Sequence, residues 1–360
     1  MSQVSQMSPA RRGRFAAAMA VALGVVLGVS SGAYATRAPK ASAGKAPRAV
    51  PTASVTVQTN FAFDGTQAAF FVAKYDGFFA RQHLDVTIIP GQVAATGLTN
   101  VIAGKVDFAL TSFSLLPAAI QAGAKVKAIM LWYQHTAMAV CALASKHKLT
   151  KPASLKGLTI ALPQGSTTQV FTPVLLRINH VPVNSIHPEN IAASLYVSAL
   201  FNGEVDVIPC FLNESYWVSS AEAAKLGEKL SVLPFAKFGV NPYDDVVVAS
   251  DATLAHRPGV VRRFLKALVG AELYMRSHTS AAVRATLDAQ PSLNPTVVAH
   301  QIQVTAGEGN VLDFDLHGYG WFNSTLVRQS LALFRRGGIP GARAVTPGEL
   351  YTNAYLPGKS

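Results

Sequence analysis

NFAFDGTQAAFFVAKYDGFF, residues 60–79, is the stretch on which the reading of the fold turns. It follows SVTVQT (54–59), where apolar and polar residues alternate with period two, the pattern of a strand with one buried face. An apolar run of helix length, 67–75, comes next and is closed by Asp76-Gly77; glycine suits the left-handed position just past a helix end. Between strand and helix sit Asn60, Asp64, Gly65, Thr66 and Gln67. Asp64 and Thr66 are good N-terminal caps, and a loop at a helix N-terminus is also where backbone N–H groups can meet a ligand. Both readings stand for this loop.

The same alternation runs outward from it. Residues 84–89 read as a strand ended by Pro90-Gly91, 96–103 as a helix before Gly104, and 106–110 as a strand. Residues 114–122 then form a helix ending at Gly123, followed by a strand at 126–133. Strands alternating with helices of about ten residues imply βαβ units and a mostly parallel sheet. A long apolar strand at 138–144 precedes a basic, irregular segment. The alternation then restarts with a strand at 158–161, helices at 168–179 and 192–201, and strands at 205–209 and 232–235. The strand at 246–249 returns the chain to the first block. The last third is helical: Pro258 and Pro295 sit where a first helical residue tolerates proline. Val261, Phe264, Leu265, Leu268 and Met275 share one face, and the amphipathic run 321–334 stops before Gly337-Gly338.

The chain has 360 residues, half of them hydrophobic, enough for a large core and too many for one typical domain. Arg11, Arg12 and Arg14 precede an apolar run at 15–29, too short to span a bilayer comfortably. Ala33-Tyr34-Ala35 then offers small residues for signal cleavage after Ala35. The arginine pair leaves the general and the twin-arginine export routes both open. The formal net charge is +12; without the three leader arginines it is +9, and the basic residues Arg37, Lys40, Lys45 and Arg48 of the Ala/Pro-rich tether leave +5 on the folded part. No basic cluster of the kind that grips nucleic acid is present. Cys141 and Cys210 lie in apolar runs and are expected as buried free thiols, although an exported protein permits a disulfide.

Five segments in order carry a family resemblance: YDGFFARQHLDVTIIPG (75–91), AGKVDFALTS (103–112), PASLKGLTIALPQGST (152–167), FNGEVDVIPC (201–210) and YDDVVVASDATLAHRPGVVRRFLKAL (243–268). Over roughly 55–334 the chain resembles periplasmic solute-binding proteins of ABC transporters, in the branch serving nitrate, sulfonates and thiamine-pyrimidine precursors. The resemblance implies an α/β, two-lobed periplasmic-binding-protein fold, type II-like, with a ligand cleft between the lobes and the helical C-terminal region packed on lobe one. The boundaries expected are a signal peptide at 1–35, a linker at 36–53, lobe one at 54–143 and 246–345, lobe two at 144–245 and a tail at 346–360. It also implies a periplasmic monomer that takes a small molecule to a membrane permease and ATPase, with no cofactor, metal or nucleic acid.

Ligands of open α/β sheets bind beyond the carboxyl ends of the strands, which selects the candidates. They are Asn60, Phe61, Asp64, Thr66 and Gln67 after the first strand, and Thr111 and Ser112, beside Ser114, after the third. In the second block they are Ser166 and Thr167, then Asn213 and Glu214; Tyr243 comes from the second crossing. Hydroxyls at helix starts suit an oxygen-rich or anionic group. In the pyrimidine-binding branch a glutamate near the place of Glu214 accepts hydrogen bonds from the ligand's amino group, and aromatic side chains stack on its ring. Trp132 and Tyr133 could fill the core or reach the cleft. The first loop departs from that branch's Asp-Trp-x-Pro-Asn pattern, reading Asn60-Phe61-Ala62-Phe63-Asp64 with Gln67 where a histidine would stand. That leaves a different flat heterocycle, an aromatic acid or a sulfonate open as ligand. An enzyme like the fungal pyrimidine synthase is disfavoured, because the chain lacks that relative's cysteine-rich iron motif and any His-Glu-x-x-His metal motif.

Overall fold

A computed structural model describes residues 50–308 and 317–358. The expected signal peptide, most of the linker and the last residues of the tail lie outside them.

Ten strands form two layers: a five-stranded sheet, and a three-stranded and a two-stranded sheet joined by a single bridge. The first has the order β2-β1-β3-β10-β4, from β1 (Ala53–Gln58), β2 (Leu84–Ile89), β3 (Phe108–Ser112), β4 (Val126–Leu131) and β10 (Asp245–Ser250). β1 pairs in parallel with β2 and β3, while β10 runs antiparallel between β3 and β4. The second is built from β5 (Ala139–Leu143), β6 (Thr159–Ala161), β7 (His187–Glu189), β8 (Ile208–Pro209) and β9 (Leu230–Pro234). β6 pairs in parallel with β7, a parallel bridge joins Ile160 to Val207, and β5 runs antiparallel between β8 and β9. Both layers therefore share one plan, four strands of one direction and one antiparallel strand that arrives from the other layer. The result is two α/β lobes joined by the crossings before β5 and β10. β7, which sequence pattern did not reveal, is exposed along its length and lacks the apolar face that betrays a strand.

Sheet one is covered by α1 (Ala68–Tyr75), α3 (Ala94–Ile102) and the long α9 (Pro258–Ser277), with α10 (Thr279–Ala289) packed on α1 and α11 (Pro295–Glu308) on α10. Phe108 stacks on Phe264, which stacks on Phe79, and Phe70 stacks on Trp132, so aromatic faces join this sheet to its helices. Trp132 is thus a core residue. The helix Ser324–Gly337, capped by Asn323, reaches across to the second lobe. It packs on α5 (Thr167–Ile178), with Phe334 against Phe171 and Gly337 O accepting from Arg177 Nη1 at 2.6 Å. Among the described residues no helix is long and apolar enough to cross a membrane.

Cys141 and Cys210, expected as free thiols, form a disulfide with Cα atoms 5.5 Å apart. The correction comes from topology: β5 and β8 are far apart in sequence but neighbours in the sheet, with Cys141 opposite Ile208 and Cys210 N donating to Ala139 O. Closing a loop of 69 residues restricts the unfolded chain, so replacing both cysteines by alanine lowers stability by about 2–4 kcal/mol. Urea denaturation of this double variant beside the wild type checks it, and an unchanged midpoint would contradict it.

Candidate ligand-binding site

A cavity with about 660 Å³ of space between atoms, partly open to solvent, lies where the strand ends of the two sheets face each other. Sheet one supplies Asn60 and Phe61 after β1, Val93 and Ala94 at the start of α3, Tyr133 after β4, and Asp244 and Asp245 at the start of β10. Sheet two supplies Ser166, Thr167 and Thr168 at the start of α5, Ala193 and Tyr196, and Phe211, Asn213 and Glu214 after β8. The two sides touch directly. Ala95 N donates to Gly165 O at 3.4 Å, and Gln301 Nε2 of α11 donates to Glu214 O at 3.2 Å. Trp217 of α7 (Ser215–Lys225) stacks on His300 of α11 with ring centres 4.4 Å apart.

The acidic groups give the cavity its character. Asp245 Oδ2 accepts from Asn60 Nδ2 at 2.7 Å, and Asn60 Oδ1 accepts from Gln67 Nε2 at 3.1 Å, so the amide is locked with its N–H side on the carboxylate. Asp244 Oδ2 accepts from Thr136 Oγ1 at 2.7 Å. The Glu214 side chain hydrogen-bonds to no other described residue. Burial pushes its carboxyl well above the usual range, and the nearby Asp64, Asp245 and Asp244 add repulsion. Asp245 is raised for the same reasons, burial first and then Asp244; Asp244 itself is pushed to about 6 by burial, partly offset by the Thr136 hydrogen bond. Among the described residues no lysine, arginine or histidine lines the cavity. Phe61, Tyr133, Tyr196 and Phe211 add aromatic surface; Tyr133 Oη donates to Thr66 O at 3.0 Å, which fixes its ring.

The sequence-based candidates divide. Asn60, Phe61, Thr66, Ser166, Thr167, Asn213 and Glu214 meet in this one cavity. Asp64 lines only the adjoining space and acts as a cap: its Oδ1 accepts from Thr66 N at 2.7 Å and from Thr66 Oγ1 at 2.6 Å, and burial raises its carboxyl to about 6. Gln67 completes that capping box, its Oε1 accepting from Asp64 N, and is fully buried. Thr111 and Ser112 lie off the cavity. Thr111 Oγ1 donates to Ala94 O at 2.7 Å, and Ser112 pairs with the Ser114 hydroxyl at 2.8 Å. Tyr243 is buried against Phe113 and Phe322, and its Oη accepts from Asn323 N. In each of these five the polar group meets the protein's own backbone or a neighbouring side chain. Missed by the sequence reading were Asp244 and Asp245. Their signal was two adjacent carboxylates directly before an apolar strand, in a chain poor in charge.

The β1 loop is pressed into place by Gly91, whose N–H lies 3.0 Å from Phe61 O and 3.1 Å from Thr59 Oγ1. A Cβ there would sit 2.2 Å from Thr59 O. Gly91→Ala is therefore expected to displace Asn60 and Phe61, lowering stability by about 1–3 kcal/mol and weakening any cleft ligand. Thermal melting with and without ligand reads both effects, and unchanged values would contradict this packing.

Among the described residues no group of three or more His, Cys, Asp or Glu could hold a metal ion. No curated protein matches the chain by sequence. Solved structures do. The alkanesulfonate-binding protein SsuA from Xanthomonas axonopodis pv. citri, bound to MOPS, superposes with a TM-score of 0.65 at 15% identity, covering 86% of this chain and 99% of that one. The aliphatic sulphonate binding protein SsuA from Escherichia coli gives 0.64 at 14% identity, with 86% and 96% covered. A Candida albicans gene product described as having the generic periplasmic binding protein structural fold gives 0.60 at 15%, with 80% and 90% covered. These likenesses agree with the two lobes and their crossings in assigning the periplasmic-binding-protein fold. The model of NMT1/THI5 like proteins matches residues 65–282, more than half of the sequence, and the chain belongs to that family.

Proposed function

We propose that this protein is the extracytoplasmic substrate-binding component of an ABC importer, and that its ligand is a flat heterocycle rich in N–H donors or positively charged, of the thiamine-pyrimidine-precursor class. Family and fold support the binding role. One observation carries the ligand class: Glu214, Asp244 and Asp245 line a cleft to which no described residue contributes a cationic side chain. A buried carboxylate needs donors or a positive charge, and an amino-substituted ring supplies both along one edge while Phe61, Tyr133, Tyr196 and Phe211 cover its faces. Closure of the two lobes on the ligand is a hinge motion, and no covalent chemistry is required. The protein acts as an exported monomer that hands its ligand to a permease and ATPase.

A second reading, a sulfonate or similar anion, is favoured by the hydroxyls of Ser166, Thr167 and Thr168 at the start of α5, where an anion would be welcome. The three carboxylates oppose it, since an anion beside them faces like charge at low dielectric. A thermal-shift panel of aminopyrimidines, riboflavin, aromatic carboxylates, alkanesulfonates and nitrate separates the two. A ligand that binds only the folded state raises the melting temperature. Stabilisation by aminopyrimidines and none by sulfonates is expected; the reverse pattern overturns the proposed ligand class.

A further inference from the structure

The cleft opens into a second cavity with about 1120 Å³ of space between atoms. Phe61, Ala193, Tyr196 and Glu214 are walls of both. The second cavity is otherwise formed by α7, the chain around Val197 and the start of α11, with Phe63, Val197, Val218, Leu293 and Val297 as its apolar lining.

Apart from Glu214, shared with the cleft, and Ser194, its polar wall side chains are engaged with the protein itself. Lys225 Nζ donates to Glu222 Oε1 at 2.6 Å. Gln301 Oε1 accepts from Gly65 N at 2.9 Å while its Nε2 donates to Glu214 O. Asn294 Oδ1 accepts from Thr296 N and Val297 N, and Ser215 Oγ accepts from Phe211 N. Away from the end it shares with the cleft, what remains for an occupant is mostly apolar surface. The cleft's other opening differs: it shares Phe61, Val93 and Pro163 with the cleft and presents Gln92, Gln164 and Asn190.

We infer that the protein binds an amphipathic ligand, whose donor-rich ring sits among the carboxylates and whose apolar substituent extends past Phe61 and Tyr196 into the second cavity. This rests on the reading of the cleft given above. The continuity of the walls sets the connection. The contrast between an acidic cleft and an apolar annex sets the polarity of the two ends, because each buried methylene of a substituent gains binding only where no polar group is stripped of water. A ring alone would leave the annex unfilled, and the annex then selects against ligands that lack the substituent.

The test is calorimetric titration with 4-amino-2-methylpyrimidine and its 5-butyl derivative. The butyl compound is expected to bind at least about tenfold more tightly. Val197→Phe fills the annex and Val218→Asp, at a half-exposed position on its wall, charges it; either is expected to remove that gain while leaving the parent compound's affinity unchanged. If the parent binds and the butyl group brings no gain, or the gain survives both substitutions, the annex proposal is overturned and the reading of the cleft stands. If neither compound binds, the reading of the cleft fails and takes the proposal with it.

Discussion

Glu214→Gln weakens an aminopyrimidine or amidine ligand by about 100-fold or more, and at the same time makes the empty protein more stable. The two effects share one cause. Glu214 is half-buried, near three aspartates, and bonded to no other described side chain, so burial and repulsion both disfavour its charge and raise its pKa. Glutamine keeps the shape and removes the charge, which relieves the folded protein. A cationic or donor-rich ligand loses a charge-assisted partner in a desolvated site, a change that costs on the order of 2–5 kcal/mol in comparable buried pairs. Thermal melting therefore shows a higher midpoint for the empty variant and a smaller ligand-induced rise. A carboxylate that merely braced the loop would lower the empty protein's midpoint when replaced. That result, or undiminished ligand binding, contradicts the role assigned to it.

The second large effect is in pH. A carboxyl whose pKa is higher in the folded than in the unfolded chain holds its proton more readily when folded, so stability falls as pH rises between the two values. Asp64 and Asp244 are raised from 3.8 to about 6, and their window runs between those values. Glu272, buried in α9 beside Tyr319 and Arg276, is raised from 4.5 to about 8, chiefly by burial, and extends the window to mildly alkaline pH. Glu214 and Asp245 are raised in the same direction. The empty protein is thus expected to lose several kcal/mol between pH 5 and pH 8, a fall in melting temperature on the order of 10 °C. A saturating cationic ligand flattens this slope, because it stabilises the charged cleft carboxylates; the Glu272 portion persists. Melting curves across that range, with and without ligand, check it. A midpoint that rises with pH in the empty protein contradicts the raised carboxyls.

What sequence could and could not show follows from geometry. Period-two alternation located β1 and β2, whose buried and more exposed positions largely alternate, and Pro90 and Gly77 marked the ends of β2 and α1; β4 and α1 were legible as apolar runs, being buried almost throughout. Looking beyond the carboxyl ends of strands found Asn60, Ser166 and Glu214, because β1 and β6 run parallel to their neighbours, the β8 segment shares the direction of β6, and all three end at the cleft. The same rule passed over Asp244 and Asp245. β10 is antiparallel, so it reaches the cleft at its amino end, and only strand pairing reveals that direction. Thr111, Ser112 and Gln67 stand at the right chain positions, yet a neighbouring carbonyl, hydroxyl or N–H consumes each of their polar groups. Tyr243 was placed by the crossing it belongs to, but its ring turns into the aromatic cluster of Phe113 and Phe322. The disulfide was hidden for the same reason as the aspartates: β5 and β8 become neighbours only in the folded sheet.

In this proposal recognition runs through Glu214, Asp244 and Asp245, in a cleft to which no described residue brings a cation. Isothermal titration of the protein with 4-amino-2-methylpyrimidine and, in parallel, with ethanesulfonate at pH 7.5 tests it most directly. Saturable binding of the aminopyrimidine, lost in Glu214→Gln, and no heat of binding from the sulfonate are expected. Tight sulfonate binding that survives Glu214→Gln, with none for the aminopyrimidine, would contradict it and move recognition to the hydroxyls at the start of α5.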